Sequence, residues 1–243
     1  MDRSRIRERC IRTTKQRIRE SVKDDNLVIQ AVSSIEEVTK AANILIRRLR
    51  EWYELYLPEF SRKVKDNQRF SQLILEKDKK ALMKEHKFRD TMGADLPKQD
   101  VDAMLALAAG AQRLYELKKS QEDYLEKLMK RTAPNVHAIT GTLIGAKLIA
   151  IAGSLKELSL FPASTVQLLG AEKALFRHMR TGAKSPKYGI LHEHPLVSQS
   201  RDKGKVARML ADKISIASKV DYFKGDYVGD KLRKELVQRF GEW

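Results

Sequence analysis

The chain has 243 residues, 42% of them apolar, with 48 Lys or Arg against 32 Asp or Glu for a net charge of +16. That length accommodates two domains, and that charge points to a polyanionic partner, nucleic acid before an anionic membrane surface. A single cysteine, Cys10, excludes an internal disulfide and a cysteine-cluster zinc site; no apolar run reaches the roughly 20 residues of a membrane span, and the arginine-rich start lacks a secretory core, so cytoplasmic residence is the default.

Residues 1–23 hold nine Lys or Arg and three acidic residues, net +6, with Ile6, Ile11 and Ile18 sparse among them. The segment reads as a helix or frayed arm, or as a basic arm touching RNA. Ile35, Val38, Ala42, Leu45, Leu49, Trp52 and Tyr56 recur at spacings of three and four, an a/d heptad pattern that predicts a coiled-coil seam. Ala41, Ile44 and Leu55 widen that face, and Pro58 ends the helix. Residues 59–97 are more charged and read as a connecting region closed by Gly93 and Pro97, with Asp100 placed to cap the next helix.

Leu107, Gly110, Leu114, Leu117, Gln121, Tyr124 and Leu128 share a second heptad frame, flanked by Met104, Leu105, Ala108 and Tyr115. Two heptad helices with a connection predict an antiparallel hairpin. Its stripes either join two copies or pack within one domain, and Gln121 in the seam sets register. The seam residues for self-association are Ile35, Val38, Leu45, Leu49, Trp52, Leu107, Leu114, Leu117 and Tyr124. The expected division is a basic arm over 1–30, a coiled-coil domain over 31–133 and a second helical domain over 134–243.

After Pro134, residues 135–158 are apolar nearly all round, which predicts a buried core helix. Gly141, Gly145 and Gly153 let neighbours approach it, and His137 reads as a packed or capping histidine. Residues 162–188 read PASTVQLLGAEKALFRHMRTGAKSPKY. Ser164 and Thr165 mark a helix start, and Gly170 precedes a new helical turn whose unpaired N–H groups favour an anion. Lys173, Arg177 and Arg180, at spacings of four and three, share one face. Leu175 and Phe176 are placed to anchor that helix from behind. The plain alternative is a surface helix with a solvated basic side.

Residues 186–200 read as an irregular or short-helix loop exposing Tyr188, Ile190 and Leu191. His192, Glu193 and His194 lack a third nearby ligand, so they make a weak metal site. Residues 201–224 predict a helix with Val206, Met209, Leu210, Ile214 and Ala217 inward and Arg201, Lys203, Lys205, Arg208 and Lys219 outward. A final amphipathic helix over 226–240 turns Val228, Leu232, Leu236 and Phe240 inward. From residue 164 onward, 16 basic and 9 acidic residues leave net +7, clustered at 173–187 and 201–208. Two such segments over a helical core predict a phosphate-binding surface. No nucleophile triad, metal cluster or Gly-rich nucleotide loop appears, so no catalytic residue, metal or cofactor is assigned. The residues alone thus predict an all-α RNA- or DNA-binding protein with a dimerising hairpin.

Gly170–Lys173 (GAEK) and Ala174–Arg177 (ALFR) stand intact within GAEKALFRHMRTGAKSPKYG. Together with NVHAITGTLIGAKLIAIAGSLKEL before them and KGKVARMLADKISIASKVDYFKG after, they closely resemble the Nop domain family. The resemblance runs from about residue 25 to the C-terminus. It is nearest the archaeal Nop five branch, counterpart of eukaryotic Nop fifty-six and fifty-eight, with the splicing factor Prp thirty-one more distant. It implies an all-α coiled-coil domain that self-associates, followed by an all-α Nop domain. That domain recognises a kink-turn RNA together with a bound protein of the L-seven-Ae type. It also implies a non-catalytic scaffold of box C/D particles that guide RNA 2′-O-methylation by fibrillarin. RNA contact then falls on Gly170, Ala171, Lys173, Arg177, His178, Arg180, Lys184, Lys187, Lys203, Lys205, Arg208 and Lys219. Glu172 is architectural, capping the helix or pairing with Lys173 or Arg177. Tyr188, Ile190 and Leu191 meet the kink-turn protein. Residues 1–25 are too few for the family's fibrillarin-docking α/β domain, and the family's lysine-rich tail is missing. Fibrillarin recruitment is therefore expected only where that domain is supplied. The alternative is a Prp thirty-one-like assembly factor that works without fibrillarin.

Overall fold

The computed structural model describes residues 3–241, and among these every regular element is helical. The α-helices are α1 Arg3–Ser21, α2 Asp24–Tyr53, α3 Pro58–Lys63, α4 Asn67–Glu76, α5 Lys79–Glu85, α6 Lys98–Thr132, α7 Pro134–Ala152, α8 Leu155–Leu160, α9 Ala163–Leu168, α10 Glu172–Thr181, α11 Pro195–Ser198, α12 Lys203–Phe223 and α13 Gly229–Phe240, with a 3-10 turn at Ile190–Glu193. They fall into two compact units, residues 33–123 and residues 1–32 with 124–243.

In the unit of residues 33–123, α2 and α6 share one core: Ile46, Leu49 and Tyr53 cluster with Met104, Ala108 and Ala111. The heptad periods are as expected, but the frame is displaced. On α2, Ile35, Ala42 and Leu49 are buried, while Val38 and Leu45 are only half-buried and Trp52 is exposed. Ile46 and Tyr53, one residue further on, take the inward positions. On α6 most of the frame moves by one residue, although Leu128 stays buried as expected. Met104, Ala108, Ala111 and Leu125 are buried; Leu107 and Leu114 are half-buried, and Leu117 and Tyr124 are exposed.

Residues 59–97 form a packed helical cap rather than a simple connection. Phe60, Phe70, Leu73, Ile74 and Leu82 from α3–α5 join the same core. Tyr53, Phe60 and Phe70 meet edge-on or stacked, with centroids 5.5–6.1 Å apart. The Arg50 guanidinium, 4.3 Å above the Phe70 ring, donates to the carbonyls of Ser61 and Val64 at 2.7 Å and to Asn67 Oδ1 at 3.0 Å. One planar fork thereby closes the open C-terminal carbonyls of α3. Asp100 lies in the first turn of α6 rather than capping it, because the helix already begins at Lys98.

In the unit of residues 1–32 and 124–243, α7 is the central helix. Among the described residues it alone is long and apolar enough to cross a membrane by length and composition, yet much of it is buried against protein. It packs against α12, α13 and α8. Its three glycines do different things. A side chain at Gly145 would collide with Met129 and Thr140, Gly141 (φ +73°) kinks the helix, and Gly153 (φ +88°) ends it.

Pro134 occupies the first helical position of α7, and Ala133 before it has no side chain able to cap. Asp221 of α12 supplies the cap instead. Its carboxylate accepts the N–H of Asn135 at 3.0 Å, the N–H of Val136 at 2.9 Å and the Asn135 side-chain amide at 2.7 Å. The Asn135 side-chain oxygen in turn accepts the N–H of Val228 at 2.7 Å, tying in the start of α13. Burial pushes the Asp221 pKa up, and these hydrogen bonds pull against it. Arg131 and Asp24 pair at 2.9 Å, and Leu155 donates its N–H to Asp25 at 3.2 Å, so the first turn of α2 is tied to this unit.

His194 is a structural histidine rather than a metal ligand. It is 1% exposed; Nε2 lies 3.1 Å from the Ile139 carbonyl, and Nδ1 accepts the N–H of Leu196 at 3.2 Å. A carbonyl only accepts, so Nε2 carries the proton and Nδ1 must stay unprotonated. Among the described residues no cluster of metal-ligating side chains forms.

Both buried polar groups can be tested. Asp221→Ala leaves three donors without their acceptor, and urea titration should show a loss of about 2–4 kcal/mol. Asp221→Asn, which keeps one acceptor oxygen, should lose less. For His194 the readout is pH. Burial lowers its pKa below the unfolded value of about 6.5, so the unfolded chain binds the extra proton. Stability should therefore fall as pH drops below about 6.5. The difference in urea midpoint between pH 7.5 and pH 5.5 should shrink in His194→Gln; an unchanged difference would assign the acid sensitivity elsewhere.

Candidate nucleic-acid interface

Residues 162–190 build the candidate site on a short scaffold. Pro162 rather than Ser164 or Thr165 sits at the N-cap of α9, and no side chain caps it. α9 packs on α12, and Val166 is buried. The chain then turns at Gly170 (φ +83°) into α10. The carboxylate of Glu172 accepts the Gly170 N–H at 2.7 Å, and the Ala171 N–H goes to the Leu168 carbonyl at 2.9 Å. Both amides expected to face a phosphate are thus satisfied within the chain, and the positive end of α10 already holds a carboxylate. Gly170 and Ala171 shape the turn and offer no free donor; Glu172 pins that turn through the Gly170 N–H, while no side chain caps the first-turn amides of α10. His178 Nδ1 donates to the Ala183 carbonyl, and Gly182 (φ +68°) ends the helix. His178 therefore ties helix to loop through one ring nitrogen.

None of the residues of α10 is buried. Ala174, Leu175 and His178 are half-buried and form its inner side. Phe176 does not anchor the helix as its sequence position suggests; it is 61% exposed, and Met179 is 68% exposed. Lys173, Arg177 and Arg180 stand exposed on one face with Phe176 at its margin, lining an open surface with Thr181. Among the described residues none of these three cations is engaged in an ion pair. The arrangement offers positive charge together with an apolar ring.

The loop after α10 folds back onto α9. Gly189 donates to the Gln167 carbonyl at 2.9 Å, Ile190 donates to the Leu169 carbonyl at 2.8 Å, and the Gln167 side chain donates to the Lys187 carbonyl at 2.5 Å. A Cβ at Gly189 would lie 1.9 Å from the Leu169 carbonyl oxygen, so only glycine fits there. This close approach seats Lys187 beside α12, where its side chain lies against Gly204. Lys187, Lys203 and Lys205 are thereby brought together. Arg208 is exposed one turn further along α12. Lys184 is exposed in the loop. Lys219 lies sixteen residues from Lys203 on the same helix, about 24 Å away by helical rise, and so stands apart from this group.

Of the residues expected to meet a partner protein, Tyr188 and Ile190 are half-buried and Tyr188 stacks on His192 at 5.1 Å. Leu191 is fully buried, and the loop does not expose it. Sequence reasoning passes over Phe176 and Met179 as surface residues. The signal is the high amphipathy of EKALFRHMRT in a segment with few apolar positions to spare.

Residues 34–242 match the Nop family, described as snoRNA binding domain, fibrillarin. The chain is 39% identical over 236 residues to an uncharacterised NOP5 family protein of Methanocaldococcus jannaschii, covering 90% of this chain and 57% of that protein. It is 35% identical over 240 residues to nucleolar protein 56 of Homo sapiens, covering 88% of this chain and 40% of that protein. The chain thus spans about half the length of these relatives. A crystal structure of a fibrillarin/Nop5p complex matches with a TM-score of 0.57 at 23% identity, covering 97% of this chain and 76% of that one, a likeness of fold. With its helical architecture and its intact GAEK and ALFR segments, the chain belongs to the Nop family.

Proposed function

We propose that this chain is a non-catalytic RNA-binding scaffold of a box C/D-type ribonucleoprotein. It seats a kink-turn RNA together with an L-seven-Ae-type protein. The observation that carries the reading is α10, where Lys173, Arg177 and Arg180 stand unpaired beside the exposed ring of Phe176. Lysine and arginine tips meet phosphates, and an exposed aromatic ring meets a base or an apolar protein surface. Lys187, Lys203, Lys205 and Arg208 extend the cationic edge. Tyr188 and Ile190, half-buried on the rim, remain candidates for the protein partner; buried Leu191 supports their backbone from beneath. The scaffold serves guide-directed RNA 2′-O-methylation, and it brings RNA and methyltransferase together where a fibrillarin-docking domain is supplied.

The reading includes a homodimer through the helices of residues 33–123, but with different residues from those of the heptad seam. Leu49 is fully buried in the core, so a charge there would unfold the unit rather than separate a pair of copies. Ile44 at 57%, Leu55 at 61% and Leu117 at 44% exposure, on the two long helices or just past α2, are apolar side chains free to meet a second copy.

Lys173→Ala with Arg177→Ala should lower affinity for a kink-turn RNA pre-bound to its protein by roughly ten- to a hundredfold in a gel shift. The thermal melt should stay unchanged, because neither side chain is buried. Equal affinity would remove α10 from the interface. For the dimer, Ile44→Glu with Leu117→Glu should halve the mass seen by light scattering while keeping the helical circular-dichroism signal. An unchanged mass would exclude this face.

A further inference from the structure

We infer that α1 is a second RNA-binding element, a phosphate-backbone clamp that works independently of the α10 face and of any kink-turn. α1 carries eight basic and two acidic residues over Arg3–Ser21, and none of its residues is buried. At 100° per residue, Arg9, Arg12, Lys15 and Arg19 fall on one side of the helix, spread over about 15 Å of its axis; Arg5 joins them, and Glu8 and Glu20 share that side, leaving it net positive. Arg3, Arg7 and Arg17 fall on the other. Among the described residues no ion pair engages Arg9, Arg12, Lys15 or Arg19. The Glu20 carboxylate accepts from neutral Gln16 at 2.8 Å instead.

This charge distribution selects the occupant. A second copy of α1 would bring two strongly cationic helices together, and like charges repel. A lipid surface calls for a broad apolar face with aromatic or leucine side chains. α1 offers isolated Ile6, Ile11 and Ile18, and cations interrupt any wider apolar face. Cations on both sides of the helix let it lie over the wide, shallow minor groove of double-helical RNA and reach the phosphates that flank it. The separate side chains of Ile11 and Ile18, with Val22 just past the helix, exposed at 45%, 61% and 63%, then lie along the sugar edges.

The test uses the full chain and a plain RNA duplex of about 20 base pairs that has no kink-turn and no partner protein. Binding is measured against salt for wild type, for Arg9→Ala/Arg12→Ala/Lys15→Ala/Arg19→Ala, and for the same positions with arginine changed to lysine. Each duplex phosphate contact contributes about 0.9 to the slope of log affinity against log salt. The alanine variant should flatten that slope by about 3.6, and the lysine variant should restore it. The same flattening should appear in a Lys173→Ala/Arg177→Ala background, which separates this element from α10. Thermal melts of all variants should coincide with wild type, since the substituted residues are exposed. An unchanged slope overturns the inference. So does loss of binding to vesicles of anionic lipid with duplex binding intact, which would assign α1 to a membrane. A fall in solution mass with duplex binding intact would assign it to self-association and equally overturn it.

Discussion

The arrangement of residues 124–241 depends on one carboxylate. α7 starts on a proline after an alanine, so its first turn has N–H groups and no local side chain to take them. Asp221, near the far end of α12, accepts two of those N–H groups and the Asn135 amide. A buried carboxylate is costly unless hydrogen bonds and a helix dipole stabilise it, and here both do. Asn135 passes the connection on to Val228, so one network fixes the origin of α7, the end of α12 and the entry to α13. The geometry of α12 follows from that anchor. Its N-terminal turns then hold Lys203, Lys205 and Arg208 on a rigid rod, and the loop pinned by Gly189 brings Lys187 to them.

How far the sequence reveals this fold differs by element. The helices, their periods and the apolar character of α7 are plain from spacing. The frame of the long helices is not, because both carry two adjacent apolar stripes. Leu45 and Ile46, Trp52 and Tyr53, and Leu107 and Ala108 compete for the inward position, and periodicity cannot separate neighbours one residue apart. Large leucines look like core, yet Ala108 and Ala111 face inward while Leu107 is half-buried and Leu117 exposed. Asp221 is invisible for another reason. A carboxylate in DYFKGDY reads as solvated, and its role appears only when a residue 86 positions away is folded against it. His194, too, resembles a ligand until Ile139 and Leu196 claim both of its nitrogens.

The candidate site divides along similar lines. The cations of α10 are legible because their spacing places them on one face whatever the packing. The backbone contribution is not: the anion-binding amides at Gly170 and Ala171 are satisfied internally by Glu172 and Leu168. Local sequence shows a glycine before a helix, but whether that glycine's amide stays free depends on where the carboxylate of the helix's first residue turns. Leu191 escapes sequence reasoning because a 3-10 turn buries one residue among exposed neighbours without a regular period to announce it.

α10 poses an energetic question that leads back to function. A ten-residue helix with no buried residue has too little propensity to persist alone in water. Local ties stabilise it: Glu172 at its start, Gly182 at its end, and the His178 contact to Ala183 across the turn. Each contributes on the order of 1 kcal/mol, enough to bias the segment toward helix but not to make it rigid. Such an element presents its cations and the Phe176 ring already near their working positions, so binding costs less ordering entropy than for an unfolded loop. It also keeps the freedom to adjust against the surface it meets. A helix buried in the core would lack that freedom, and a disordered loop would lack the register of Lys173, Arg177 and Arg180.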